Sequence, residues 1–369
     1  MAMTMTTTTK PSITIDLSRK QPPTRDHPDS AAAVKGHLPP AKSTKTHPVQ
    51  SSTGQNNNAS LFFVGTATTI LEWQGLRLMT DPNFLHRGGH VHLGPGVRGT
   101  RRTDPAVDLH DLPNIDLVLL SHYHADHFDQ EVEASLRRDL PIITTPHARH
   151  HLGGSTKAPD ESFTAVRALD AWEDMFVDFA AADAASSSPP LAHEPRIHVT
   201  GMPGKHVGDG LLAKANDILG AVPPTNGWML ELGYSSSSSS FECGYRIYIS
   251  GDTLYVSDLE RIPQLYTHAG KPIDLMLIHL GGTTLPGPHL PLIMVTMDAK
   301  QGIQLVKLIQ PDLTIPIHYD DYDVFLSPLD DFKAEITKAG LDEKVVYLDR
   351  GDRFDFRVRS PSPTEPKTT

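Results

Sequence analysis

A short apolar run at 115–120, IDLVLL, ends abruptly on Ser121-His122-Tyr123-His124-Ala125-Asp126-His127-Phe128-Asp129. A strand that stops on so many metal-ligating side chains must bring them to a sheet edge rather than into a core. Imidazole and carboxylate are the ligands that borderline divalent metals favour, and an extended turn aims His122 and His124 at one point. Asp126 and His127 follow where the chain turns into a helix, within reach of a second ion. Two ions about 3.5–4 Å apart can share a water and lower its pKa towards neutrality. With 20 histidines in 369 residues, H-x-H-x-D-H arises by composition about once in 200 such chains. Context therefore has to supply the rest. Asp81 after RLMT, His206 in GMPGKH, Asp252 in SGDT and His318 in IPIH each end an apolar run. Taken singly, each is as readily a hydrogen-bonded structural group; taken in order, they suit convergence at one sheet edge.

The runs themselves set the architecture. Strands are expected at 61–64, 68–73 and 76–80, with a Gln74-Gly75 turn between the last two. The 115–120 run reads as a strand covered on both faces. Further strands are expected at 197–200, 228–232, 246–250, 273–278, 313–317 and 345–348. Helices are expected over 129–139 with an aspartate cap, 297–309 and 329–338. Hairpins come first and alternate with helices later, so two packed sheets with helices outside would bury every apolar face. Residues 1–58 are rich in Pro, Thr, Ser, Lys and Asn and are expected to be a disordered tail, as is 359–369. That leaves one domain over 59–358. Two internal segments, 184–190 and the serine run between Tyr234 and Phe241, read as surface loops, the second joining two strands of a hairpin.

Charge and cysteine usage narrow the function classes. The formal net charge is −11. Residues 1–57 hold seven cations against three aspartates, a net of +4, which leaves −15 for the remainder. Nucleic acid is not expected as a partner, because phosphate binding needs clustered Lys and Arg. No stretch approaches the roughly 18 apolar residues of a membrane helix, so no integral membrane contact is expected. The leader MAMTMTTTTKPS lacks the apolar region of a secretory signal. Cys243 stands alone, which excludes an intramolecular disulfide framework and suits a reducing, cytoplasmic setting. A small-molecule substrate is the expected partner; the oligomeric state is left open.

With these residues in view, the sequence resembles the metallo-β-lactamase superfamily from about Ser60 to Phe356. The motif order matches: Asp81, the His122–His127 run, His206, Gly251-Asp252 and His318. The segments GTATTILEWQGLRLMTDP, SHYHADHFD and SGDT resemble the branch of ascorbate-6-phosphate lactonase and N-acyl phosphatidylethanolamine phospholipase D. The resemblance implies a four-layer αββα sandwich of two mixed sheets, with the site at one edge. It implies that His122, His124 and His206 bind one metal, that Asp126, His127 and His318 bind a second, and that Asp252 bridges. Asp81 would orient a ligand. Zinc is the default for two such divalent ions, with manganese and iron as alternatives. A histidine rather than a glutamate at His124 departs from the diiron flavoprotein branch and favours hydrolysis over redox work.

The expected chemistry is attack by a metal-bound hydroxide on a small ester, lactone or lactam, with Asp126 and Asp252 as catalytic carboxylates. Phosphodiester cleavage is the alternative on the same metals. An idle ligand-binding fold and a single-iron dioxygenase are the remaining readings, and the full ligand set weighs against both. Tyr319 is a candidate oxyanion donor. His90 and His92 are weighed as a further metal pair, with His86 beside them, and loop hydrogen bonding is preferred. His279 lies near the site but is read as a buried structural histidine. Thr283, Thr296 and Asp298 are read as turn and helix-cap residues, and Trp172 and Trp228 as core.

Overall fold

The computed structural model describes residues 10–25, 36–48, 57–94, 97–154, 157–179, 193–208, 222–236, 240–285 and 293–361. Strand alternation explains its layers. In β3 (Ala59–Gly65), Leu61 and Phe63 face one way and Phe62 and Val64 the other, and both sets are buried. The same split recurs in β5 (Leu76–Thr80), β8 (Leu117–Leu119), β14 (Phe241–Ile249) and β15 (Leu275–His279). Strands apolar on both faces need cover on both faces.

Two sheets meet that need. One has eight strands: β10 (Val166–Ala168), β9 (Ile142–Thr144), β8, β5, β4 (Thr68–Trp73), β3, β19 (Arg353–Phe356) and β2 (Thr44–Thr46). The other has seven: β1 (Ser12–Ile15), β11 (Asp174–Phe179), β12 (His193–Pro203), β13 (Asn226–Ser236), β14, β15 and β18 (Leu313–Ile317). Their inner faces share one core in which Leu61, Leu78 and Leu119 lie with Ile197, Leu230, Ile247 and Ile315. Trp73 spans this core edge-on to Phe179 and Tyr234, at 5.8 and 5.6 Å between ring centroids. On one outer face Val118 and Met79 pack with Val132 and Leu152 of the helices Gln130–Ser135 and Pro146–Leu152. On the other, Met276 and Tyr248 pack with Ile303 and Phe332 of the helices Ala299–Ile309 and Leu329–Ala339. This is the expected αββα sandwich. Truncating an inner leucine to alanine costs about 2–5 kcal/mol in such a core.

Each sheet contains a run of antiparallel hairpins that continues into parallel strands. β4 and β5 join through Gln74 and Gly75, both at positive φ (52° and 82°), the two-residue turn whose twist matches the strands. β5, β8, β9 and β10 are then parallel, as are β14, β15 and β18. The carboxyl ends of these parallel strands gather at one edge, where α/β folds place their ligands.

Three expectations are corrected. Part of the segment expected to be disordered, 1–58, is ordered: β1 pairs in parallel with β11, and β2 with β19. A ready sheet edge needs mainly backbone groups from an added strand, and Ile15 and Leu17 supply enough apolar surface to reach the inner core. Residues 345–348 form no strand; Val345 makes a single bridge to Thr314. The helix expected over 129–139 ends at Ser135, although its cap is as read, since Asp129 accepts from the Glu131 and Val132 amides. The serine run does join antiparallel strands, β13 and β14. Residues 184–190 and 362–369 lie outside the described residues.

Candidate metal centre

Asp81 leaves β5 with φ at 35°, a left-handed backbone that few non-glycine residues adopt. Its amide bonds to the Leu119 carbonyl, and its Oδ1 accepts the Ser121 amide at 2.6 Å. The carboxylate so ties the end of β5 to the end of β8. Its other oxygen lies 3.2 Å from His127 Nδ1. The orienting role expected of Asp81 therefore has its geometry.

After β8 the chain closes a tight turn in which the His127 and Phe128 amides bond to the His124 carbonyl. His122 and His127 are thereby thrown to the inside, with ring centroids 4.2 Å apart. His206 follows β12 and lies 4.7 Å from the His122 ring; its Nδ1 is 3.0 Å from the Val295 carbonyl. Asp252 follows β14 through Gly251, whose φ is 61° and where a Cβ would meet the Asn226 carbonyl at 2.3 Å. Glycine is required there to carry Asp252 inward. His318 follows β18 at φ 62°, with its amide on the Thr66 carbonyl and its Nδ1 2.9 Å from the Leu280 carbonyl.

These residues converge. His127 Nε2 stands 3.2 Å from Asp252 Oδ2, and His318 Nε2 stands 3.5 Å from Asp126 Oδ2. His124 Nδ1 stands 2.7 Å from Asp126 Oδ1, and His124 is the one member of the set with modest exposure. Asp126, His127, Asp252 and His318 offer ligand atoms within 4.8 Å of one another, and so do His122, His206 and Asp252. Asp252 belongs to both groups. The Nε2 atoms of His122 and His206 are buried without a hydrogen-bond partner. Orphaned imidazole nitrogens are costly in a protein interior, and a divalent cation is the partner this donor set fits.

The electrostatics divide the cluster. Burial holds His122 well below its ordinary value, and its neighbours His127 and His206 push the same way. Burial likewise brings His206 down to about 4, against the pull of Asp252. His127 is also penalised by burial, yet Asp252 and Asp126 beside it outweigh that and hold it well above its ordinary value. His318 is raised despite burial by Asp252 and Asp126. Burial opposes ionisation of both carboxyls, but His124 and His127 around Asp126, and His127 and His318 around Asp252, hold them well below the carboxylate range.

Other expected residues fall elsewhere. Tyr319 is corrected as an oxyanion donor: it packs in the helix-side core with its hydroxyl directed to the Leu348 carbonyl at 3.4 Å. The left-handed turn at His318 carries the next side chain away from the site. His90 and His92 are exposed on β6 (His90–Gly94), and His86 faces Asp104 and Asp108. Trp228 is core; Trp172 is partly buried under the Arg261 guanidinium. Asp298 caps its helix as read, but Thr296 reaches inward and donates to Asp252 Oδ2 at 3.2 Å. His279 also touches the cluster, with Nδ1 3.0 Å from Asp252 Oδ1. Sequence reading passed over Ser121 and Thr225, whose hydroxyls lie 2.9 and 3.5 Å from His122 Nδ1. Ser121 adjoins the motif and was within reach of a closer reading; nothing in PPTNGW marks Thr225. The pocket over the cluster is walled by Leu93, Val222, Thr283, Val295 and Thr296, with His124, Asp126, His206 and Asp252 at its floor.

Two sheets in an αββα sandwich, with histidines and aspartates gathered at the strand ends, define the class of metallo-β-lactamase-like folds. The chain belongs to the β-lactamase superfamily: the model of the β-lactamase superfamily domain matches residues 60–318. It is 25% identical over 241 residues to a UPF0173 metal-dependent hydrolase of Archaeoglobus fulgidus, covering 65% of this chain and 82% of that protein. A UPF0173 metal-dependent hydrolase of Salinibacter ruber is 23% identical over 290 residues, 77% of this chain and 95% of that one. In fold the chain is similar to the isothiocyanate hydrolase from Delia radicum gut bacteria, with a TM-score of 0.57 at 18% identity. That likeness covers 81% of this chain and 99% of the other. Among the described residues no helix is long and apolar enough to cross a membrane.

Proposed function

We propose that the protein is a binuclear metal-dependent hydrolase that opens a small ester, lactone or lactam. The observation that carries this reading is the convergence of two candidate ligand groups on the carboxylate of Asp252, with the buried Nε2 atoms of His122 and His206 left unpartnered. His122, His124 and His206 would hold one divalent ion, and Asp126, His127 and His318 the other. Zinc is the leading choice for this donor set. Such a pair supplies Lewis acidity and a water acidified towards neutral pH.

The chain's own residues do the rest. Asp126, ionised and fixed between His124 and His318, is placed to orient the attacking water and to accept its proton. Asp252 is held from two further directions, by His279 and Thr296, so that its oxygens stay directed at both groups. Asp81 fixes the His127 ring from behind. The narrow pocket beside Asp126 and Asp252 is lined by apolar side chains, Leu93, Val222 and Val295, and by the hydroxyls of Thr283 and Thr296.

The test is metal analysis of the purified protein with a panel of lactones, lactams, simple esters, an isothiocyanate and bis-p-nitrophenyl phosphate. Two equivalents of metal and turnover of a lactone, ester or lactam are expected. Phosphodiester turnover alone would reverse the substrate reading, and fewer than two metals would end the binuclear one. Asp126→Asn is expected to lower turnover by about 10²–10⁴-fold; undiminished turnover at full metal content would remove its proton role.

A further inference from the structure

A second group of histidines lies outside the cluster. The helix Pro146–Leu152 reads PHARHHL, is capped by Thr145, and buries Ala148 and Leu152 against the sheet. A four-residue spacing on a helix puts two side chains one above the other on the same face. His147 and His151 hold that relation, and their Nε2 atoms approach to 3.2 Å, with ring centroids 4.5 Å apart. Two imidazoles bound to one tetrahedral ion at about 2.0–2.1 Å place their nitrogens about 3.3 Å apart. The pair therefore already has the bite of a chelate.

The surroundings hold the pair in place. The Tyr123 ring lies parallel to His151, 5.0 Å away and 1° from coplanar orientation. Tyr123 is itself tied down, its hydroxyl on both oxygens of Glu133 at 2.9 and 2.8 Å, and Lys157 pairs with the same carboxylate. We propose that His147 and His151 form a separate binding site for a late first-row divalent cation such as Zn²⁺, Ni²⁺ or Cu²⁺, with water completing the coordination. Partial burial and the neighbouring histidines lower the proton affinity of His147. For His151, burial, His150 and Lys157 do the same against Glu133. A lowered proton affinity favours the neutral ring, the form that binds metal. The site stands apart from the hydrolytic reading: neither histidine touches the main cluster, and its occupancy is measured without turnover.

The experiment is a zinc titration of the metal-loaded full chain, followed by calorimetry and by metal analysis after gel filtration. One equivalent beyond the resident metals is expected. His147→Gln and His151→Gln should each weaken that equivalent by at least about tenfold, or 1.4 kcal/mol, with resident metal and turnover unchanged. No extra equivalent up to millimolar zinc, or an extra equivalent indifferent to both variants, would overturn the site. Wild-type protein provides a measurement that needs no variant. Saturating zinc should shield His147 and His151, but not the exposed His150, from diethyl pyrocarbonate, as read by peptide mass spectrometry. Equal labelling of all three with and without zinc would equally overturn it.

Discussion

On one side of Asp252, His122 and His206 set their Nδ1 atoms against neutral partners, the Ser121 hydroxyl and the Val295 carbonyl. On the other side, His127 and His318 lie among the carboxylates of Asp81, Asp126 and Asp252. Burial acts on both sides alike; Asp252 alone does not overcome it at His122 and His206, whereas Asp252 and Asp126 together do at His127 and His318. Proton affinity is therefore lowered in the first pair, which favours the neutral ring a cation needs, and raised in the second, which opposes it. One cluster thus contains two candidate ligand groups of different electrostatic character, with Asp252 in both.

The strongest way to break that picture is Asp252→Ala. If the carboxylate serves both positions, both metals leave and turnover falls by about 10³-fold or more; retention of one full equivalent would show that it serves only one side. Next come His206→Ala and His318→Ala, each expected to lose one equivalent and to lower turnover about 10²-fold. Metal analysis checks this directly, and loss of both ions from either variant would erase the distinction between sides. Asp81→Asn sharpens the comparison, because Asp81 touches His127 alone among the ligands. Metal affinity should fall about 10–100-fold at that side only, as measured by competition with a chelator.

A separate expected effect is in the pH dependence of the metal-stripped protein. The folded value of His206, about 4, lies below the ordinary 6.5. The unfolded chain therefore binds more protons between these values, and stability from this group falls as pH drops from 6.5 towards 4. The contribution is of order 3 kcal/mol. His127 and His318, raised in the folded state, contribute in the opposite sense, and that stability is lost as pH rises through their folded values. Thermal melts should therefore show a smaller acid-side loss in His206→Gln than in the parent chain. Parallel profiles would remove the assignment.

Much of the convergence at the candidate site was legible because histidines and aspartates cluster where strands stop. Asp81, Asp252 and His318 each end an apolar run, and β5, β14 and β18 are the strands they end. Tyr319 was misplaced for a local reason, since adjacency to His318 in sequence gives no information on direction after a left-handed turn. Thr225 and Thr296 arrive from loops distant in the chain, and their identities suit ordinary turns and caps equally well. The ordered strand Ser12–Ile15 was hidden in the same way: its partner, β11, is more than 150 residues away, and composition describes only the segment itself.

The His122–His127 run by itself determined that a metal-binding loop follows a buried strand, because ligand chemistry and spacing are properties of a few adjacent residues. Alternation of apolar side chains determined two-faced strands, and hence sheets covered on both sides. Only the tertiary structure decided that Asp252 falls in both candidate groups, that His279 and Thr296 brace it, and that the proton affinity of His127 is raised where that of His206 is lowered. Those outcomes depend on burial and on charges brought together from separate strand ends, which no local stretch of sequence contains.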